Sequence, residues 1–512
     1  MNNLNSHFIS TNSRTRRTSL FAADLNFALS LDREVAMPLT RQLVDALRQG
    51  ILKSSLPAGM RLPSTRRMAD TLSVSRTVTQ HAYEQLTAEG LLESRRGSGS
   101  FVVDDIVPKN YRHQASSRDL RGINGPPAIS SDWSVPPTKQ SADNVIDFSP
   151  GRTDTSILNS SAWKRAWRVA LRTNPTGQYL PVQGSLDLRN EICGYLARSR
   201  GFKCSVEDIF ITHSAADALD TACHTLIAEK STAFLEEPGY TRAWKILKTH
   251  GVQLIGVAVD DNGLQVNLLP KRVAHESLIY VTPSHQYPLG HRMSVGRRQA
   301  LVRWAIAHKV YIVEDDYDSE FRYDALPLPA LRSLEVQRVV YVGTFSKVLS
   351  PDLRLGYMVV PANLRTNFAD FRSIRADQPG LIAQLAIAHF IHSGEMEKHI
   401  WRMRRSYAEK RHALIQSLGD LRPLANVVGT EAGLHLTLLL SAQIRTDDVL
   451  KAMKHLPVRI VPLAQYCNLG SRGNGLVLGY GGLSVEQITA GALTVREAIL
   501  KIGANLVRGA LT

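Results

Sequence analysis

Short runs of β-branched residues alternate with longer amphipathic stretches from Val145 onward. Examples are "DIFIT" before "DALDTACHTLI", "TAFLE" before "TRAWKILKTH" and "LIYVT" before "RRQALVRWAIAH". Such alternation is typical of α/β folds, in which helices connect the strands of one sheet. The sequence therefore predicts an α/β domain with a mostly parallel sheet over residues 145–512. In a sheet of this kind, functional residues gather at the carboxyl ends of the strands.

One lysine lies in an unusual place within this pattern. The stretch "YVGTFSKVLSPDLRLGYMVV" puts Lys347 between two runs that are typical of buried strands. Burying an ammonium group costs free energy, so a lysine at this position indicates a function, such as forming a Schiff base. Nearby in the sequence are hydroxyl groups and a guanidinium that suit a phosphate group, on Thr344, Ser346 and Arg354.

Other segments supply what a pyridoxal phosphate site needs: a carboxylate for the pyridine nitrogen, a stacking ring and anion donors. "VYIVEDDYDSEF" ends a predicted strand with Asp315 and Asp316, and either can supply the carboxylate. In "ITHSAADAL" a strand turns into a helix, and the backbone N–H groups near Ala215 and Ala216 suit an anion. Tyr240 in "EEPGYTRAW" offers the ring. The joint appearance of these residues predicts a pyridoxal 5'-phosphate site.

The first hundred residues show a different pattern. "PLTRQLVDALRQGILKS" predicts one amphipathic helix, and "STRRMADTLSVSRTVTQHAYEQLTAEG" predicts two more, joined by a tight turn and capped by Ser64 and Ser75. "LLESRRGSGSFVV" predicts a β-hairpin with a glycine-rich tip. Residues 36–104 are therefore predicted to form a winged helix-turn-helix, which binds double-stranded DNA.

The last of these helices is the predicted recognition helix. We expect it to bury Val78, Ala82 and Leu86 on one face. Its N-terminal end would then meet base edges and phosphates through Arg76, Thr77, Thr79 and Gln80.

Composition agrees with an anionic partner and sets further expectations. The formal net charge is +15 at pH 7, which favours nucleic acid as a partner. No apolar run is long enough to span a membrane. The cysteines form no CxxC pair, which indicates neither a zinc site nor a disulfide framework and fits a reducing cytoplasm: Cys193, Cys204, Cys223 and Cys467.

Two segments are expected to lack packed structure. Residues 1–35 are interpreted as a disordered basic tail, with a transit peptide or a DNA-contacting arm as the alternatives. Residues 105–144 are polar and rich in Pro, Gly and Ser, which predicts a flexible linker.

Both halves of the chain resemble known families. "LPSTRRMADTLSVSRTVTQHAYEQLTAEGLLESRRGSGSFVV" resembles the winged helix-turn-helix of the GntR family. "GTFSKVLSPDLRLGY", "EDDYDSEFRY" and "TPSHQYPLG" resemble MocR/GabR-type regulators, in which a GntR-type reader is fused to a fold-type I, class I/II aminotransferase domain. The resemblance implies a bacterial, cytoplasmic and nucleoid-associated homodimer that regulates transcription. It also implies that the aminotransferase-like domain uses bound pyridoxal phosphate to sense an amine or amino acid effector, or that pyridoxal phosphate is itself the effector.

The resemblance assigns roles to residues of the large domain. Lys347 becomes the Schiff-base lysine, Asp315 the partner of the pyridine nitrogen and Tyr317 the donor to the ring's 3-oxygen. Tyr179 in "QYLPVQG" would reach the phosphate of the neighbouring protomer, and Arg242 would contact an effector carboxylate.

Tyr287 is implied to stand where aminotransferases carry an asparagine that binds the cofactor ring. In the DNA reader, the resemblance implies contacts from Arg66, Arg76 and the wing tip Arg96–Gly97.

Two features depart from the aminotransferase pattern. The "NPTG" at residues 174–177 lies too early to be the cofactor-binding motif of that family and is interpreted as a coincidental turn. The strand that should carry an arginine for the substrate carboxylate reads "GLVLGYGGLS", with Val477 at that place. The loss of a charge-assisted anchor disfavours efficient transamination, unless Arg242 substitutes. The alternative hypothesis is a working aminotransferase with an accessory DNA-binding domain.

Overall fold

The computed structural model describes residues 18–21, 28–95, 97–104, 145–174, 177–228, 231–273, 277–323, 328–469 and 473–509. The chain divides into two compact units, Met1–Val135 and Pro136–Thr512. This division falls within the predicted linker, residues 105–144, which lies outside the described residues. No helix in the described ranges combines the length and the apolar character needed to cross a membrane.

Within its described residues, the N-terminal unit contains three helices and two antiparallel pairs of strands. Its elements are β1 (Thr18–Phe21), β2 (Ala28–Leu31), α1 (Leu39–Leu52), α2 (Thr65–Leu72), α3 (Arg76–Ala88), β3 (Leu92–Arg95) and β4 (Gly99–Val102). The predicted caps are present, since the Ser64 side chain accepts from the Arg67 N–H and the Ser75 side chain from the Val78 N–H. β3 and β4 pair antiparallel and form the predicted wing hairpin.

Within residues 1–35, which are predicted to form a disordered tail, the structure describes two short strands, β1 and β2. β1 and β2 pair antiparallel. In β2, Leu29 and Leu31 are buried in the hydrophobic core of the N-terminal unit. These two leucines alternate with small residues at the period of a strand, and their burial offsets the entropy lost in ordering a short segment. Residues 1–17 lie outside the described part of the chain.

The C-terminal unit is built on an eight-stranded sheet. The strands of this sheet are β6 (Ile209–Thr212), β7 (Thr232–Glu237), β8 (Gln253–Asp260), β9 (Gly263–Leu264), β10 (Leu278–Val281), β11 (Tyr311–Asp316), β12 (Val339–Thr344) and β13 (Gly356–Val359). The strand β5 (Ile146–Asp147) precedes them in the chain and lies outside this sheet. The chain continues with β14 (Ala425–Val428), β15 (His435–Leu440), β16 (Val458–Arg459), β17 (Val461–Pro462) and β18 (Gly475–Gly479).

Helices surround these strands. They are α4 (Ser160–Ala170), α5 (Leu186–Arg200), α6 (Ala215–Leu226), α7 (Thr241–Thr249), α8 (Val295–Ala307), α9 (Leu331–Leu334), α10 (Arg365–Arg375), α11 (Leu381–His392), α12 (Glu395–Leu418), α13 (Thr446–Met453) and α14 (Val485–Gly509).

The order of the large sheet is β6-β13-β12-β11-β10-β7-β8-β9. The strands β12, β11, β10, β7 and β8 are parallel, as predicted, whereas β13 and β9 run antiparallel to their neighbours. β13 reverses because residues 345–355 between β12 and β13 hold only the 3-10 turn Pro351–Leu353, and a parallel crossover needs a longer connection. A second sheet has the order β14-β15-β18-β17.

The large sheet is covered on both faces. In β12, Val340 and Val342 belong to the apolar cluster that includes residues of α6 and α7. Val339 packs on the other side, in a cluster that includes residues of α8. Burial on both faces explains why these strands read as continuous apolar runs. It also leaves the strand ends, where α6 and α7 begin, as the place for polar groups.

Candidate functional site

A cavity of about 330 Å³ opens at the carboxyl ends of the central strands. Residues that follow β6, β7, β11 and β12 meet there, because the carboxyl ends of parallel strands lie at one edge of a sheet. Apart from Tyr179, every cofactor residue expected from the sequence lines this cavity, as does Arg242: Lys347, Asp315, Tyr317, Tyr240, Tyr287, Ala215, Ala216, Thr344, Ser346 and Arg354.

Lys347 presents its amine to the cavity from the turn after β12. Its Nζ donates to the carbonyl oxygen of Gly151 at 2.9 Å. Burial lowers the pKa of this lysine, while the carboxylates of Asp318 and Asp315 oppose the shift and Arg242 adds to it. A lowered pKa increases the neutral, nucleophilic fraction of an amine near neutral pH. Lys347 therefore has the environment of a reactive lysine.

The two adjacent aspartates at the end of β11 have different surroundings. Asp315 lines the cavity, and its Oδ2 accepts a hydrogen bond from the Tyr280 hydroxyl at 2.6 Å. Asp316 is directed to the opposite face, since successive side chains of a strand alternate. There its Oδ2 lies 2.5 Å from Arg200 Nε and accepts from the Tyr341 hydroxyl. The geometry thus assigns the cavity carboxylate to Asp315.

Their electrostatics differ as well. Burial raises the pKa of Asp315 to about 7. For Asp316, burial acts in the same direction, but the guanidinium of Arg200 and hydrogen bonds hold the pKa below its usual value. The Oδ1 atoms of both aspartates are buried without a hydrogen-bond partner among the described residues, but only Asp315 lines the cavity. Buried carboxylate oxygens are nearly always bonded, so the Oδ1 of Asp315 suits a protonated ring nitrogen of a ligand.

The other end of the cavity suits an anion. α6 begins there at Ala215, with Ser214 as its N-cap, so backbone N–H groups point toward the cavity. Thr344 and Ser346 contribute hydroxyl groups. Arg354 also lines the cavity and has no ion-pair partner in the described ranges. The residues present therefore fit a ligand with a protonated ring nitrogen at one end and a phosphate at the other.

Aromatic rings form one wall of the cavity. The Tyr287 ring makes edge contacts with the rings of Tyr240 and Tyr317, at centroid distances of 5.8 and 5.9 Å. The Tyr287 hydroxyl donates to the Tyr466 hydroxyl at 3.1 Å. Burial raises the pKa of Tyr240, Tyr287 and Tyr317, so these phenols remain protonated donors at neutral pH.

The sequence interpretation missed several cavity residues. Asp318 and His435 line the cavity beside Tyr280. His285, in the connection after β10, is buried with its Nδ1 2.9 Å from the Tyr317 hydroxyl and 2.8 Å from Asp318 Oδ2. Asp318 lies within the motif "EDDYDSEF", and the presence of a third acidic residue there was the available signal.

Three further residues bear on the roles that the family resemblance implies or puts in doubt. Tyr179 is 96% exposed and does not line the cavity of its own chain, so its contact with a neighbouring protomer stays a prediction. Val477 is fully buried with Leu289 and Leu463, so no guanidinium occupies that place in β18. Arg242 lines the cavity and has no ion-pair or hydrogen-bond partner within the described parts of the chain.

The candidate DNA contacts divide into exposed and buried residues. Those exposed on the N-terminal unit are Arg66, Arg76, Thr77, Gln80 and Gly97. Gly97 has φ +78° at the tip of the wing, and no atom lies within 4 Å of the place where its Cβ would be, so the tip is open. Arg96 lies outside the described residues.

The expectation that Thr79 faces DNA is wrong. Thr79 is fully buried, and its hydroxyl donates to the carbonyl oxygen of Thr65 at 2.8 Å. The buried face of α3 consists of Thr79, Ala82, Tyr83 and Leu86. This face is rotated from the predicted one because a threonine whose hydroxyl is satisfied can be buried like an aliphatic residue.

Comparison with known proteins agrees with this architecture. The family "Aminotransferase class I and II" matches residues 143–466, and "Bacterial regulatory proteins, gntR family" matches residues 39–102. The chain is 34% identical over 481 residues to the HTH-type pyridoxine biosynthesis transcriptional regulator PdxR of Corynebacterium glutamicum, covering 93% of this chain and 99% of that protein. The chain belongs to the MocR-type transcriptional regulators. The family resemblance predicted from the sequence is confirmed.

Further relatives support the same assignment. The probable rhizopine catabolism regulatory protein MocR of Rhizobium meliloti is 34% identical, with 93% of this chain and 96% of that protein covered. An archaeal alanine:glyoxylate aminotransferase superposes with a TM-score of 0.65 at 25% identity, covering 70% of this chain and 91% of that structure. The Pyrococcus horikoshii kynurenine aminotransferase gives a TM-score of 0.65 at 23% identity over 70% of this chain and 92% of that structure, and it shows the shared fold.

Proposed function

We propose that this MocR-type regulator binds pyridoxal 5'-phosphate in the cavity of its C-terminal unit and uses it to sense a small molecule. The observation that carries the proposal is the meeting of Lys347 and the unpartnered Oδ1 of Asp315 in one cavity. The effector is an amine, an amino acid or pyridoxal phosphate itself.

The chain's own groups would hold the cofactor as follows. Lys347 would bind it covalently, Asp315 would accept from its ring nitrogen, and Tyr240 would stack on its ring. The phosphate would be bound by the α6 N–H groups near Ala215 and Ala216, by Thr344 and Ser346, and by Arg354. When bound, pyridoxal phosphate supplies an electrophilic carbon that primary amines attack. The lowered pKa of Lys347 supports this role, since it increases the fraction of the amine that is neutral and able to act as a nucleophile.

The charges that remain in the cavity suggest the effector's chemistry. With Lys347, Asp315 and Arg354 committed to the cofactor, Arg242 is a cavity cation without a partner among the described residues. A guanidinium of this kind binds carboxylates in a bidentate manner. An effector that carries an amine and a carboxylate therefore fits better than a simple amine.

The N-terminal unit is proposed to bind operator DNA in the bacterial cytoplasm. Arg76, Thr77 and Gln80 at the start of α3 would meet the major groove, while Arg66 and the Arg96–Gly97 wing tip would contact the backbone. A homodimer would present two such readers to two half-sites, and Tyr179 would complete the phosphate site of the neighbouring protomer. Exposure of Tyr179 supports this, because an unpartnered surface tyrosine is available for an interface.

Two measurements on the purified protein test the proposal. Addition of pyridoxal phosphate should produce a protein-bound visible absorbance band that dialysis does not remove, and footprints on the promoter beside its own gene should change with the cofactor. Absence of the band would overturn the proposal. Steady transamination of a panel of amino acids against 2-oxo acids would favour the alternative, a working aminotransferase, over a sensor.

A further inference from the structure

His285 forms the centre of a buried polar cluster behind the cavity wall. It lies in the connection between β10 and α8, while Tyr317 and Asp318 follow β11. Its Nδ1 is 2.9 Å from the Tyr317 hydroxyl and 2.8 Å from Asp318 Oδ2. The side chains of His285 and Asp318 are essentially inaccessible to solvent. One ring nitrogen therefore contacts both the phenol and the carboxylate.

The packing of the imidazole fixes its orientation. A Cβ at Gly433 would overlap the His285 ring, and a Cβ at Gly290 would approach its Nε2 to 3.0 Å. Glycine at these two positions makes room for the ring and leaves it little freedom to turn. His285 Nε2 has no hydrogen-bond partner among the described residues.

These contacts favour one arrangement of protons. A proton on Nε2 would be buried without an acceptor, and orphaned N–H groups cost more than an unused lone pair. The proton is therefore assigned to Nδ1, from which it is donated to the Asp318 carboxylate, with the Tyr317 oxygen as a second acceptor. An oxygen that accepts from Nδ1–H cannot donate its own proton back to that nitrogen. The Tyr317 proton is left for an acceptor on the cavity side.

We propose that His285 and Asp318 are positioning residues that direct the hydroxyl proton of Tyr317 into the cavity, toward an oxygen of the bound cofactor ring. This inference rests on the proposed function, since it assumes that pyridoxal phosphate occupies the cavity. In this arrangement the role of His285 is to donate its Nδ1–H to the Tyr317 oxygen. The Tyr317 hydroxyl then cannot donate its proton to His285 and can donate it only toward the cavity.

The consequence can be measured through the ring oxygen. A hydrogen bond that Tyr317 donates to the cofactor ring oxygen stabilises the anionic form of that oxygen. Loss of this bond therefore raises the pH at which the cofactor releases the proton that the ring oxygen shares with its neighbouring atoms. The titratable groups around His285 are Tyr317 and Asp318 after β11, His291 in the same connection as His285, and His435 on β15, with Asp315 and Lys347 across the cavity. Burial lowers the pKa of His435 well below its usual value, so it stays neutral and does not obscure the titration.

The test is a pH titration of the visible absorbance band of the full-length protein loaded with pyridoxal phosphate. His285→Ala should raise the midpoint by about one pH unit, the size expected for one charge-assisted hydrogen bond. His285→Asn places an amide N–H near the Nδ1 position and should restore most of the wild-type midpoint. His285→Gln, of similar polarity but with its amide at the Nε2 position, should not.

A double variant separates positioning from general disruption. In a Tyr317→Phe background, His285→Ala should leave the midpoint where Tyr317→Phe alone puts it, because the effect passes through the phenol. Equal midpoints for wild type, His285→Ala and His285→Gln would overturn the inference, as would additive shifts in the double variant. If His285→Ala does not fold, the comparison of His285→Asn with His285→Gln tests the inference, and equal midpoints for these two variants would overturn it. A wild-type protein that shows no band at all would instead overturn the proposed function.

Discussion

Replacing Asp315 by asparagine should weaken pyridoxal phosphate binding while leaving the unloaded protein stable. The amide oxygen can still accept from the Tyr280 hydroxyl, which lies 2.6 Å from the carboxylate. What is lost is the negative charge at Oδ1, the buried atom without a partner among the described residues. A hydrogen bond to a charged group contributes about 1.5–3 kcal/mol. We therefore expect roughly a 10- to 150-fold increase in the dissociation constant.

Asp316→Asn is the matched control, and we expect it to lower the stability of the protein while leaving cofactor affinity nearly unchanged. Asp316 is bonded to Arg200 and Tyr341 on the other face of β11 and does not line the cavity. Removing its charge leaves a buried guanidinium with only Glu320, at 2.7 Å, as an acidic partner among the described residues. Breaking a buried ion pair costs about 3 kcal/mol of unfolding free energy. Cofactor affinity should change by less than about threefold, since the cavity keeps all its polar groups.

The assay pairs cofactor titration, followed by the visible absorbance band, with urea unfolding of the unloaded proteins. The expected result is a loss of affinity in one variant and a loss of stability in the other. If Asp316→Asn lost affinity while Asp315→Asn retained it, the assignment of the cavity carboxylate would be refuted.

The same contacts lead to four other expectations. Lys347→Ala should abolish the visible band and any effector response without unfolding the protein, as absorbance and circular dichroism will show; a wild-type band in the variant would refute the lysine's role. Arg76→Ala should weaken operator binding by roughly 5- to 150-fold at matched salt, whereas Thr79→Val, which removes only the buried hydroxyl, should lower the unfolding free energy and leave DNA affinity nearly unchanged. The pKa of Asp315 is raised to about 7 in the folded protein and is about 3.9 in the unfolded chain. Protonation of Asp315 therefore stabilises the unloaded fold at low pH, and this stabilisation is lost as the pH rises toward 7. Urea unfolding should show that Asp315→Asn gains stability relative to wild type as the pH rises over that range. Mixed Tyr179→Phe and Lys347→Ala subunits should form heterodimers with one intact site, and cofactor binding that never exceeds that of the separate variants would contradict a shared site.

The sequence predicted which residues meet at the cavity because the fold brings strand ends together. Lys347, Asp315, Tyr240 and the start of α6 each follow a β-branched run, and those runs became neighbouring strands. The α/β alternation determines this convergence without knowledge of any single contact. The sequence alone could not choose between Asp315 and Asp316, because the choice depends on which face of β11 meets the cavity.

Other features depended on contacts between distant segments. His285 and Asp318 are 33 positions apart, and their bond exists because the connection after β10 lies against the end of β11. Thr79 is buried because its hydroxyl reaches a carbonyl oxygen of α2, which helical periodicity does not encode. The strand β2 was missed since the polar composition around it outweighed two alternating leucines.

The central claim of the proposed function is that DNA binding responds to what Lys347 binds. The most direct test is a footprint of the promoter beside the protein's own gene, taken with and without pyridoxal phosphate, for wild type and for Lys347→Ala. We predict that the cofactor changes the protection or affinity of the wild-type protein and has no effect on the variant, while both proteins bind DNA equally in its absence. An identical response of both proteins to the cofactor, or no response from the wild type to either cofactor or effector amino acids, would contradict this coupling.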